Sequence, residues 1–360
     1  MENLALVPTP DTIPAPAWLF LVLDLVTFTI HLLFMNVAVG GTLIMLFSRL
    51  KQDSLKLEDR LHGPIAGKVP TTFALAINFG VAPLLFIQVI YGHLFYSSSV
   101  FMAVYWILII PLLILAYYGA YIHIRKYQAS PWLSKSALLI SALILLYVAF
   151  IFVNNMTLMV QPEKWGAYFG QRNGTLLNLS DPSLLPRYLH FIVASVAVTG
   201  LFMAILWTLR KRKGVDNAQT KIVSSLRLFA IATAVQMVIG FWFLLALPKD
   251  FMLQFMGQNM YTTILLMLGL LLAIGALVSG FLGKLAPTLG HLFVILVVMV
   301  LMRNSLRSLY LERFFSTDSL KLVPQYGVMA LFLVIFIAGL VIVAYMLKQA
   351  YPGKERRVAQ

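Results

Sequence analysis

Five of the six histidines in this 360-residue chain stand inside long apolar runs. His31 is the one ionisable group in "FTIHLLFMNVAVGG", Phe28 to Gly41. An imidazole so placed can hold a haem iron or relay protons, and it can equally pack against a neighbouring helix or snorkel to an interface. A haem needs axial donors on facing helices, with small residues that let the macrocycle approach. His31 is followed along its own run by Gly40 and Gly41, and His190 in "RYLHFIVASVAVTG" by Ala194, Ser195, Ala197 and Gly200. Met267 lies beside Gly269 in "LLMLGLLLAIG". His93 and His190 fall toward the outer ends of their runs and His123 and His291 toward the inner ends, while His62 sits in a basic loop and reads as solvated.

The elements that carry these residues follow from the solvent. The chain is 61% hydrophobic and 11% charged. Its repeated apolar runs exceed the length of an ordinary core helix, and they lack the alternation of a barrel, so each reads as a membrane-spanning helix. Nine spans are expected near Trp18–Phe47, Thr71–Leu94, Phe101–Ile124, Leu133–Val160, Tyr188–Leu209, Ile222–Leu247, Met260–Leu282, Pro287–Leu309 and Gln325–Leu347.

Arg49, Lys51, Lys56, Arg60 and Lys68, then Arg125 and Lys126, then Arg210 to Lys213 and Lys221, fall on one side together with Lys348, Lys354, Arg356 and Arg357 of the tail. The positive-inside rule puts that side in the cytoplasm, the N-terminus outside and the C-terminus inside. The net charge of +14 is thereby a matter of topology and of contact with anionic membrane lipid, and implies no nucleic acid. Arg303, Arg307, Arg313 and Lys321 break the pattern and read as an outward cationic loop. The acidic, Pro-rich start "MENLALVPTPDTIPAPAW" does not read as a cleaved signal peptide. Without cysteine there is no disulfide, thiolate metal site, iron–sulfur cluster or covalently attached haem.

At these residues the sequence resembles subunit I of the cytochrome bd quinol oxidases. The resemblance runs through "IHLLFMNVAVGGTLIML", "LAINFGVA", "VNNMTLMVQP", "LPRYLHFIVASVAVTGLFMAILW", the Met267–Gly269 pair and "MRNSLRSLYLERFFSTDSLKLVP". It covers nearly the whole chain, although each motif is loose. It implies one membrane domain over residues 1–360, with four-helix bundles at 17–160 and 186–310 and a ninth, peripheral helix at 324–350. Carried over by position, His31 matches the first-helix haem ligand, His190 and Met267 match the axial ligands of a b haem near the outer surface, and Arg303 matches an arginine able to pair with haem propionates.

The departures matter as much. Where the family has glutamates, Gln88 stands in "LLFIQVIYG" and Val300 in "LVVMVLMRN", and the long quinol loop is reduced to "PKDFMLQFMGQN". His93 and His291 are additional donors that could hold a haem in a new position. The expectation is therefore a haem-b-bearing electron-transfer subunit of a respiratory complex in the cytoplasmic membrane, with one to three haems. It would pass electrons between quinol and a partner, either a c-type cytochrome or a second subunit of the cytochrome bd kind. A terminal oxidase with rearranged ligands is the first alternative. A haem-free transporter or structural subunit is the second.

Overall fold

The computed structural model describes residues 6–51 and 60–350. Among them, nine helices are long and apolar enough to cross a membrane, and the chain is an all-α, multi-pass membrane protein. They are α1 (Ala17–Lys51), α2 (Val69–Phe101), α3 (Ala103–Arg125), α4 (Pro131–Met159), α5 (Leu184–Lys211), α6 (Ala218–Leu245), α7 (Met260–Phe281), α8 (Leu285–Leu311) and α9 (Tyr326–Ala350). Lys56, Lys354, Arg356 and Arg357 of the basic segments lie outside the described residues. The end of the assembly at which α1 begins is called outer below, after the loop charges.

α2 overruns its expected end at Leu94 and continues to Phe101. The polar residues there remain helical because the Ser97 and Ser98 hydroxyls donate to the carbonyls of His93 and Phe95. A single residue, Met102, separates α2 from α3. The loop before α5 supplies partners at this corner: Leu176 N–H donates to Phe101 O (3.0 Å), and Val104 N–H donates to Gly174 O (3.1 Å).

α8 ends at Leu311, two residues past the expected end at Leu309. Arg303 and Arg307, grouped by charge with an outward loop, thus lie within the helix, and of that group Arg313 and Lys321 alone follow it. The two can be accommodated in the helix because the Arg303 guanidinium lies 4.2 Å from the Phe28 ring centre, that of Arg307 lies 4.9 Å from the Tyr91 ring centre, and Arg307 approaches Asp24 to 3.6 Å.

α1 is the axis of the assembly. It packs along α2 and α4 on one side and along α5 and α8 on the other, while α3 pairs with α4, α5 with α6, and α7 with both α6 and α8. The crossing of α1 and α5 is close enough to need glycine. A β-carbon at Gly40 would collide with the backbone carbonyl of Ser195 and the hydroxyl of Thr199, and that hydroxyl donates to Asn36 O (3.1 Å). Between α6 and α7 the short chain forms the helix Lys249–Leu253 and a π turn over Gln254–Gln258. No described side chain of α9 is buried. A parallel bridge precedes it, in which Ile13 N–H donates to Lys321 O and Val323 N–H to Ile13 O, each at 2.9 Å.

Candidate functional site

α1 and α8 run antiparallel, and their contacts fix a register: Asp24 meets Arg307, and one turn further in Phe28 meets Arg303. A further turn along each helix puts His31 level with Val300. Arg187 of α5 joins from the side, with its guanidinium 5.0 Å from the Phe243 ring centre and within electrostatic reach of Arg303. His31 is likewise within reach of Arg303.

This polar cluster is under-satisfied. Arg187 Nε and Nη2, Arg303 Nη1 and both Nη atoms of Arg307 are shielded from solvent and have no hydrogen-bond partner among the described residues. The same holds for Asp24 Oδ1, Asn304 Oδ1 and the Tyr310 hydroxyl. Two carboxylates stand near the three arginines. Asp24 is one; the other, Asp181, is already committed, accepting from Gln161 Nε2 at 2.7 Å and from Ser183 N–H at 2.8 Å. Arg307 has the long contact to Asp24, and Arg303 Nη2 donates to a weak acceptor, Met156 Sδ at 3.8 Å, so buried cationic donors outnumber good acceptors here, an arrangement suited to an anionic group.

His31 has the features of a metal-ligating imidazole. Its Nδ1 lies 2.9 Å from Ala76 O; a carbonyl only accepts, so Nδ1 carries the proton and Nε2 keeps a lone pair. Gly80 of α2 makes room for the ring, since a β-carbon there would meet Cε1 and Nδ1 at 2.8 and 2.9 Å. Two other intramembrane histidines repeat this notch: His190 lies against Gly240 of α6, and His291 against Gly275 of α7.

The remaining candidates are placed less favourably. His190 Nε2 lies 3.1 Å from Gln236 Nε2 and accepts its amide N–H, while Nδ1 is buried without a partner. His93 packs edge-on to Phe315 at 4.8 Å between ring centres, near the outer rim, with Nε2 unpartnered. His291 lies in the inner half, away from the arginines, with Nδ1 unpartnered. Met267 is 49% exposed and belongs to a stripe of exposed α7 residues, Met260, Ile264, Met267, Leu271, Ile274 and Val278, opposite the buried face through Leu265, Gly269, Ala273 and Ala276. The expected pairing of His190 with Met267 is therefore not supported, because the thioether belongs to the face turned away from the bundle. Gln88 accepts from the Tyr96 hydroxyl (3.2 Å) on its own helix, and Val300 is buried at the α1–α8 seam.

His62 corrects the expectation of a solvated loop residue. It is 2% exposed, because its segment is drawn onto the inner helix ends: Trp207 Nε1 donates to Leu61 O (2.7 Å), and Arg60 Nη1 to Ser48 O (2.9 Å). Burial pushes the His62 imidazole down to about 4 from its ordinary 6.5, with Arg60, His123 and Arg49 adding to the effect.

Sequence reasoning missed Asp24 and Arg187. The signal was present for Asp24, an ionisable residue inside the first apolar span, whereas Arg187 stood one residue before the expected fifth span and enters it because the helix begins at Leu184. In comparisons with known proteins, no family model matches the chain and no curated protein matches it.

Proposed function

We propose that the chain is the haem-b-bearing membrane subunit of a respiratory oxidoreductase, passing electrons between membrane quinol and a partner redox protein. One observation supports this reading: shielded guanidinium nitrogens without hydrogen-bond partners among the described residues, gathered beside a histidine whose Nδ1–H is anchored on Ala76 O and whose Nε2 thereby keeps its lone pair. Arg187, Arg303 and Arg307 would hold the propionates of a haem, and His31 would offer its free ring nitrogen to the iron. His190, one turn from Arg187 on α5, is the second candidate donor. When bound, a b haem supplies a one-electron carrier within the membrane.

The electron-transfer reading is preferred to a terminal oxidase because Gln88 and Val300 offer no carboxylate for oxygen chemistry. The partner, a c-type cytochrome or a second subunit of the cytochrome bd kind, would dock on the outer loops, where Arg313 and Lys321 are exposed. The membrane would be the cytoplasmic one. The test is direct: the chain purified from haem-replete cells should show a reduced-minus-oxidised spectrum of the b type and a matching pyridine haemochrome. A stably folded chain without haem would overturn the proposal.

A further inference from the structure

Asp24 is the only carboxylic acid in the nine spans. It is 1% exposed, two turns inside the outer end of α1, and one of its oxygens has no partner. Its neighbour across the seam, Arg307, stands at 3.6 Å, a separation that gives charge attraction without a hydrogen bond. A buried ion pair of this quality is a poor way to hold two helices together; well-packed apolar residues of the same size do so as well or better. Its position suggests a different role. Asp24, Phe28 and His31 are spaced i, i+4, i+7 and share one face of α1, and the opposing face of α8 presents Arg307 and Arg303 to the first two.

We propose that Asp24 sets the redox potential of the haem held at His31, by placing one fixed negative charge among the arginines that bind it; this rests on the haem reading above. Reduction adds one electron to the site. In a low-dielectric surrounding the arginines favour that added charge and Asp24 opposes it, so the Asp24–Arg307 pair tempers a cluster that would otherwise hold the haem at high potential. Asp24 touches neither the iron nor the ligand in this role. It acts through the field.

The experiment is an optical redox titration, at one fixed pH, of the purified full-length chain and two variants. Asp24→Asn keeps the shape and removes the charge; its midpoint should move to a more positive potential, with band positions and haem content unchanged. Asp24→Glu keeps the charge and should stay near the wild-type midpoint. Haem-loaded Asp24→Asn at the wild-type potential would overturn the proposal, as would an equal shift in Asp24→Glu, which would mark a packing effect. If Asp24→Asn does not accumulate, Arg307→Gln tests the same field from the other side: the midpoint should fall, and an unchanged midpoint overturns the role. A wild-type chain without haem removes the underlying reading, and is told apart from these outcomes by its missing spectrum.

Discussion

Replacing Arg303 by Met separates a guanidinium that serves a ligand from one that serves the fold. Two contributions oppose each other in the haem-depleted protein. The substitution removes the stacking on Phe28 at 4.2 Å, worth about 1–2 kcal/mol when desolvated. It also relieves Nη1 of burial without an acceptor, which costs about 1–3 kcal/mol, and separates Arg303 from the like charges of Arg307 and Arg187. The sum lies between about 1 kcal/mol destabilising and about 2 kcal/mol stabilising. With haem bound the balance turns against the variant. Loss of one charge-assisted hydrogen bond to a propionate removes about 1.5–3 kcal/mol, so haem should bind roughly 10- to 100-fold more weakly. The assay has two arms: thermal unfolding of the haem-depleted chain, and haem dissociation into an excess of a haem-scavenging apoprotein. Arg303→Lys, which keeps the charge but loses the planar fork, should fall between. Equal destabilisation of the loaded and depleted forms, or unaltered haem retention, would refute the reasoning.

Reporter fusions after Lys213 and at the C-terminus should report cytoplasm, and one in "GQRNGTLLNLS" should report the outside; a cytoplasmic result for that loop would contradict the charge-based orientation. His31→Ala should abolish the b-type spectrum. Gly80→Leu should do the same with the histidine intact, because the added side chain occupies the ring's notch, whereas Met267→Ala should leave the spectrum unchanged. The His62 imidazole, held neutral in the fold down to about pH 4, takes up a proton in the unfolded chain below its ordinary 6.5, so stability falls as pH drops through that window. The loss reaches about 2 kcal/mol at pH 5. His62→Gln should flatten the decline in melting temperature between pH 7 and pH 5, and an equally steep decline would show that other groups cause it.

The number and order of spans were legible because hydropathy over some twenty residues is a strong signal, and ends were misjudged where side chains repair the backbone, as Ser97 and Ser98 do in α2. Arg303 and Arg307 fell inside the expected eighth span yet were grouped with an outward loop, because charge density alone does not reveal which charges other helices meet. Their partners, Asp24 and Phe28, stand more than 270 residues earlier in the chain. The face of Met267 was readable in principle, since a three-and-four spacing of bulky residues through Met260, Ile264, Leu271 and Ile274 marks it as outward. The glycine opposite each of His31, His190 and His291 was not legible. Pairing across helices depends on rotation and depth, which no single segment encodes.

The Asp24–Arg307 contact also has a consequence for how the protein is made. Synthesis proceeds from the N-terminus at about 5–20 residues per second, so the carboxyl of the first span enters the membrane roughly 15–60 seconds before its cation emerges. Throughout that interval Asp24 has no Arg307 to meet, and its place two turns from the outer end of α1 lets it remain near the headgroup layer until α8 arrives. Assembly of the seam is thus a late event in biogenesis. A chain that ends anywhere before α8 keeps a first helix whose carboxyl has no Arg307 to meet.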